Sequence, residues 1–436
     1  MAQTRSEPAS GTATPASRPK APPFTPVRPE PPKFSAQSTA FILKSAAQKH
    51  RFIETEELTK LKEQNRTDNL VTKSNHQVVP YTKKGKNWFF KIVATPFMAE
   101  LEAAAWAVFD LIAPGYAPEK TNAYYDASGN FVGVSSQAIP DFKSFSKAPL
   151  EQDDLEDKEL VRGMAIGSTV SHILYEEDYH IDNGNKAGQR VDFDGTLWVI
   201  LGHFKYCDIF SQSLRPPNPN RYVLTEEDIL HFPDLQGAGA LPYYWLTTRP
   251  APFDINALNT IVPDWVKANK AFPPEQNAVF KQLKSDRTFI YNKFKTYLKF
   301  LLINDHHYST VIRQHMREEI RHPDPAFKHR KIVDIFADIV SGRKKELCDV
   351  LVKMHAFHDF INDNGAAALS EITQEIIQHN EKLRLRETHK REKNPNRPIE
   401  MLIDNIIDPQ DIEANFNAIK DKVSAALGNY IVNPKL

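Results

Sequence analysis

The first readable pattern along the chain is a pair of β-hairpins with a helix between them. Val78-Val79-Pro80-Tyr81 and Trp88 to Val93 flank the turn Lys83-Lys84-Gly85-Lys86, which predicts one hairpin. After Pro96 the spacing changes to an Ala-rich helix over Met98 to Leu111. Asn122 to Tyr125 and Phe131 to Ala138 then flank Asp126-Ala127-Ser128-Gly129, a second hairpin. Strand, strand, helix, strand, strand is the order of a small β-rich unit carrying one helix. Upstream, Ser35 to about Leu61 reads as helical, with Phe41, Ile42, Leu43 and Ala46 near its start.

Beyond the second hairpin the period becomes helical. Asp153 to Glu177 predicts one long amphipathic helix, with Val161, Met164, Ala165, Val170, Ile173 and Leu174 on its apolar side. Polar loops follow over Asp178 to Gly195. Pro216, Pro217, Pro219 and Gly237-Ala238-Gly239 mark irregular structure. From Asn277 to about Ala426 the pattern is helical again, with Phe280, Leu283, Phe289, Phe294, Leu298 and Leu301 as a core stripe. The predicted class is α+β, with boundaries near residues 34, 150 and 270. No internal repeat is visible.

Composition narrows the class. The chain has 436 residues, enough for two or three domains of ~150 residues. Hydrophobic residues at 41% and charged residues at 25% exclude a collagen, a wholly disordered chain and a disulfide scaffold. Lys+Arg and Asp+Glu are 55 each, so no global basic field exists for nucleic acid. Cys207 and Cys348 lack metal-ligand spacing and read as two thiols in a reducing compartment. No apolar run approaches the ~18–20 residues of a membrane span, and the N-terminus has no signal-peptide core. These features predict a soluble protein. Residues 1–34 read as a disordered leader. Nine prolines crowd its first 33 positions, including Pro19-Lys20-Ala21-Pro22 and Pro26-Val27-Arg28-Pro29, spacings that proline-binding grooves read.

The chemistry concentrates after the long helix. Glu176-Glu177-Asp178-Tyr179-His180-Ile181-Asp182-Asn183-Gly184 is followed by Gly188-Gln189-Arg190-Val191-Asp192-Phe193-Asp194. Asp178 and Asn183 have the Asp-x-x-x-x-Asn spacing of a kinase catalytic loop, and Asp192-Phe193-Asp194 stands where kinases carry Asp-Phe-Gly. Asp178 is the candidate base for an attacking hydroxyl. Asn183 and Asp192 are candidate Mg²⁺ ligands, with Asp194 either a further ligand or a cap. His180 supports the loop in this reading. The competing reading makes it a zinc ligand with His172, Asp182 or Asp194. Upstream, Lys91 lies in the apolar strand Phe89-Phe90-Lys91-Ile92. A buried ammonium there needs a carboxylate partner. Glu102, eleven residues on, is the candidate, with Glu100 competing about half a turn away. No Gly-rich phosphate loop precedes Lys91.

These motifs resemble the atypical kinase domains of effectors from Legionella and related intracellular bacteria, the group that includes the LepB N-terminal domain. That group is distantly related to HipA, actin-fragmin kinase and the phosphoinositide kinases. The resemblance covers about Val78 to Pro250. It rests on Phe90-Lys91, Glu102-Ala103-Ala104, Gly133-Val134-Ser135-Ser136, Phe142-Lys143-Ser144-Phe145, the two loop segments above, and Leu241-Pro242-Tyr243-Tyr244-Trp245. It implies a bilobed protein-kinase-like fold, with residues 35–150 as a β-rich N-lobe and 151–270 as a C-lobe with the catalytic loop. Residues 271–436 would be a helical extension or accessory domain. It implies ATP and Mg²⁺ (or Mn²⁺) as cofactors, Lys91 on the nucleotide phosphates, Glu102 orienting it, and secretion into a host cell. An inositol lipid or inositol phosphate is the first-choice acceptor. A protein Ser/Thr acceptor and a non-catalytic binding module for a host protein or membrane are the alternatives.

In the last third, Lys382, Arg384, Arg386, Lys390, Arg391, Lys393 and Arg397 face only three acids between Glu381 and Arg397. Such a stretch attracts an anionic membrane surface, at ~1 kcal/mol per basic residue. Arg313, Arg317, Arg321, Lys328, Arg330 and Lys331 are candidates to extend that basic face or to hold a polyphosphate. His355, His358 and Asp359, and Asp305-His306-His307, have weak metal-ligand spacing.

Overall fold

Five strands pair into one sheet: β1 (Arg51–Phe52), β2 (Gln77–Lys83), β3 (Lys86–Ile92), β4 (Thr121–Tyr125) and β5 (Phe131–Gln137). The computed structural model describes residues 51–52, 77–83, 85–92, 96–125, 131–174, 176, 179–193, 196, 224–233, 272–318, 321, 330–393 and 405–432. The sheet order is β1-β4-β5-β3-β2. Four strands are antiparallel, and β1 joins β4 in parallel. The architecture is α+β and mostly helical. The described elements all fall within one compact unit, Lys33–Leu436.

Helix α1 (Pro96–Ile112) crosses between the two hairpins and packs on β4 and β5. Its Ala-rich sequence favours helix, and its near-complete burial explains why it is apolar almost all round. Pro96 is its first residue, where a missing N–H costs nothing.

Two expectations change on inspection. The helix predicted over Ser35 to Leu61 is interrupted, because Arg51–Phe52 pair with Tyr124 and Tyr125 at the edge of β4. An open sheet edge offers backbone groups that extended chain can satisfy. The rest of that segment and the leader lie outside the described residues. The single helix predicted over Asp153 to Glu177 divides into a 3₁₀ turn, Gln152–Glu156, and α2 (Lys158–Ile173). Asp157 causes the break: its carboxylate caps α2 by accepting the N–H groups of Glu159 at 2.9 Å and Leu160 at 3.2 Å. At the other end Arg343 donates to the carbonyls of Ile173 at 3.0 Å and His172 at 3.2 Å. Glu176 has left the helix and bridges to Thr196.

Further helices are α3 (Glu226–His231), α4 (Pro274–Gln282), α5 (Arg287–Leu302), α6 (Asp305–Arg313), α7 (Ile332–Leu351), α8 (His355–Lys393) and α9 (Pro409–Val432). Helix α5 packs along α2, and the Tyr297 hydroxyl meets His172 Nδ1 at 2.8 Å across that contact. One continuous apolar cluster runs from α1 to α9. Among the described residues no helix is long and apolar enough to cross a membrane.

Glycines set how closely the loop after α2 approaches that helix. A Cβ on Gly167 would lie 1.8 Å from the Gly188 carbonyl oxygen, and one on Gly163 would lie 2.3 Å from the Ala187 oxygen. Gly163 and Gly167 are one turn apart, so together they make a flat strip for the loop. Gly167→Ala is therefore expected to cost about 2–3 kcal/mol through overpacking. Gly342→Ala is the matched control, because Gly342 sits exposed within α7 with nothing near its absent Cβ. That change is expected to stabilise by roughly 0.5–1 kcal/mol. Urea unfolding of both variants measures the opposite signs.

Candidate active site

Lys91 occupies the middle of the sheet, opposite Val78 on one side and Val134 on the other. Strand alternation puts it on the other face from the buried Trp88 and Phe90. Its side chain is itself buried, and its ammonium reaches Glu102 Oε2 of α1 at 2.9 Å and also contacts Asp192 Oδ1. Three side chains from a strand, a helix and a loop thus meet at one point. Lys91 and Asp192 are 101 positions apart.

Glu100, the competing partner, faces elsewhere. It is buried against Arg317, which contacts it through Nε and through its backbone N–H. The sheet also needs Gly133 beside the lysine. A Cβ there would stand 2.3 Å from the Lys91 carbonyl oxygen, so only glycine lets β5 pair this closely with β3.

Asp192 is held by its neighbours. Phe193 is buried and meets Phe109 of α1 edge-on, with ring centroids 5.0 Å apart. Phe109 lies two turns beyond Glu102 on the same helix face, so one helix positions both the glutamate and the aspartate. Asp192 has φ +63°, a left-handed conformation that costs a non-glycine residue about 1–3 kcal/mol and collects at functional sites. Asp and Asn tolerate it best.

The loop ahead of Asp192 is braced from inside by Arg190, a residue to which the motif reading assigned no role. Arg190 is 1% exposed. Its Nη1 donates to the carbonyls of Asn183 at 2.8 Å and Val191 at 2.7 Å, and its Nη2 lies 3.2 Å from Glu176 Oε1. The guanidinium also lies over the Tyr179 and Phe193 rings, at 5.2 Å and 6.0 Å. Glu176 in turn accepts the Thr196 hydroxyl at 2.6 Å. The Val191 N–H donates to the Asn183 carbonyl at 3.0 Å, which ties the two candidate metal ligands' segments together. Burial drives the Tyr179 phenol up to about 12, against the opposing pull of Arg190.

A second brace comes from residues 145–146. Phe145 N–H donates to the Gly184 carbonyl and Ser146 N–H to that of Ile181, both at 3.0 Å. His180 is buried in this loop, with Nδ1 accepting the Asp182 N–H at 3.1 Å. His172, the proposed zinc partner of His180, is engaged with Tyr297 and packs on Phe232 in the core. Among the described residues no three His, Cys, Asp or Glu side chains gather as a metal site. Asp178, Asp194 and the Leu241 to Trp245 segment lie outside the described residues.

No protein-family model matches the chain, and no curated protein matches it.

Several basic positions at the end of α6 and after it have acidic partners. Arg313 pairs with Asp334 at 2.5 Å, Lys331 with Glu318 at 2.9 Å, and Arg330 with Asp338. Arg317 is buried on Glu100, and Arg321 is exposed. Lys328 lies outside the described residues. His358 Nε2 meets the Val352 carbonyl at 2.6 Å, which gives that ring a structural partner.

Proposed function

We propose that this chain is an atypical kinase of bilobed protein-kinase-like fold. It would transfer the terminal phosphoryl group of Mg-ATP to a hydroxyl. One observation carries the reading: a strand lysine, a helix glutamate and a loop aspartate, remote in sequence, are in direct contact at Lys91, Glu102 and Asp192. An ordinary buried ion pair needs two partners. The third group is a half-buried aspartate in a left-handed conformation, which a purely structural lysine does not require.

In this reading Lys91 holds the nucleotide phosphates and Glu102 holds Lys91. Asn183 and Asp192 would hold magnesium, and both offer the hard oxygen donors that ion takes. When bound, the ion neutralises charge on the transferring phosphate. Asp178 would take the proton of the acceptor hydroxyl. His180 would shape the loop, and Asp194 would be a further oxygen ligand. The acceptor of first choice is an inositol lipid or inositol phosphate, with a protein Ser or Thr second. The setting would be a host cell, where the chain acts as a bacterial effector.

The test supplies the full chain with radiolabelled ATP and Mg²⁺ or Mn²⁺. Inositol-lipid vesicles, soluble inositol phosphates and a generic protein are offered in separate reactions. The expected result is label on an inositol acceptor, lost nearly completely in Asp178→Ala. Equal labelling by the wild type and that variant would reject the site. ATP binding with no transfer to any acceptor would make the chain a binding module instead.

A further inference from the structure

A cavity of about 350 Å³ lies between the C-terminal end of α1 and the helices α2, α5 and α8. That size falls at the lower end of small-ligand pockets, about 300–1,000 Å³. Five basic side chains line it: Arg162, Lys295, Lys299, Lys382 and Arg386, with burial pulling the Lys299 pKa down. Two carboxylates, Asp110 and Glu375, line it with them.

The acids do not balance the cations. Glu375 serves two lysines, Lys299 at 2.7 Å and Lys295 at 3.1 Å, and Glu371 takes Lys295 at 2.6 Å. Lys382 and Arg386 form no ion pair among the described residues. Arg162 has only a loose contact with Glu159, at 3.4 Å. Burial pushes the Asp110 carboxyl above its ordinary range, in spite of Lys382 and Arg386. His379, on the same wall, senses the surplus. Burial, then Lys299, Lys382, Arg386 and His307, lower its pKa to about 4, so the ring stays neutral.

We infer that this cavity binds a compact polyphosphate, either a free anion or the multiply phosphorylated headgroup of a lipid. Two arginine forks and three lysine side chains lining one open-mouthed cavity match clustered phosphate oxygens. The lysines on α5 form the floor, and the side chains from α8 stand at the rim, Lys382 exposed and Arg386 half-buried. Tyr116 also lines the cavity, and its carbonyl accepts the Arg190 N–H at 2.7 Å. An occupant therefore sits against the residue that anchors the Asn183–Asp192 loop. The inference stands apart from the kinase reading, since none of its cations touches Lys91.

Calorimetric titration of the full chain with inorganic tripolyphosphate tests it. The expected result is a site, separate from any at Lys91, weakened at least about tenfold in Lys382→Glu/Arg386→Glu by loss of charge-assisted bonds. The Lys91→Met/Glu102→Leu variant is expected to keep this cavity site. NMR titration of the wild-type chain gives a readout free of substitutions: bound anion raises the His379 pKa. Phosphatidylcholine vesicles with and without a bisphosphorylated inositol lipid distinguish the sources. Vesicle recruitment that is lost in the double-Glu variant identifies a headgroup. Tripolyphosphate binding without recruitment identifies a free anion. Unchanged affinity in the double-Glu variant overturns the inference. So does loss of binding in the Lys91 variant, or an unmoved His379 with no heat from any probe.

Discussion

Asp192→Asn is expected to give a folded protein that has lost phosphoryl transfer by about 10²–10³-fold, the usual cost of removing one preorganised electrostatic group from an active centre. Folding survives for two reasons. Asn tolerates the left-handed backbone that Asp192 adopts, and the Asp192 side chain is 29% exposed, so its pairing with Lys91 adds little stability. Asp192→Ala is equally inactive but less stable by about 1 kcal/mol, since alanine strains at φ +63°. Lys91→Met behaves differently. It takes the Lys91 cation away from Glu102, a carboxylate whose side chain is 3% exposed, at about 3–5 kcal/mol. Adding Glu102→Leu removes that carboxylate and is expected to recover most of that stability and none of the activity. Urea midpoints and transfer rates on these variants separate an ion pair that supports folding from one that supports chemistry. Full transfer by Asp192→Asn would end the kinase proposal.

Much of this centre was legible because its demands are local. A lysine among Phe89, Phe90 and Ile92 announces a buried ammonium in need of a partner, and two hairpins around an Ala-rich helix place it in a sheet. The order of the motif favoured Glu102 over Glu100, but the physical reason for that choice was not legible. Both sit on one helix within half a turn, and what separates them is Arg317, more than two hundred residues away. The same limit explains the basic residues at the end of α6 and after it. A charge count along the chain sees Arg313, Arg330 and Lys331 as a surplus, while the fold brings Asp334, Asp338 and Glu318 to them. The cavity shows the converse. Its cations come from three helices at positions 162, 295, 299, 382 and 386, so no sequence window gathers them. Asp157 ends the long helical pattern early because a cap acts through one carboxylate and leaves periodicity unchanged. The Gly163 and Gly167 pair stands one turn apart in the sequence and had no role in the motif reading. What it serves depends on a loop that arrives twenty residues later.

Arg190→Met is expected to be the most destabilising change in the loop, by about 3–5 kcal/mol. Methionine fills similar space, so the cost is electrostatic rather than a cavity. The Asn183 and Val191 carbonyls lose their side-chain donor, and the Glu176 carboxylate, 2% exposed, loses its cation. Arg190→Lys keeps the charge but not the fork. One ammonium cannot span both carbonyls and the carboxylate in that geometry, so a loss of roughly 1.5–3 kcal/mol is expected. Combining Arg190→Met with Glu176→Gln removes the carboxylate charge that Arg190 faced. It recovers part of the loss and not all of it, because the two carbonyls stay without their side-chain donor. Urea unfolding supplies the three numbers, and their order is the test. A cost below about 1 kcal/mol for Arg190→Met would mean that the backbone bonds to residues 145–146 hold the loop unaided. With the expected order, Arg190 is the buried post on which Asn183 and Asp192 are hung. Any ligand that moves Tyr116, whose carbonyl binds the Arg190 N–H, then acts on both of them together.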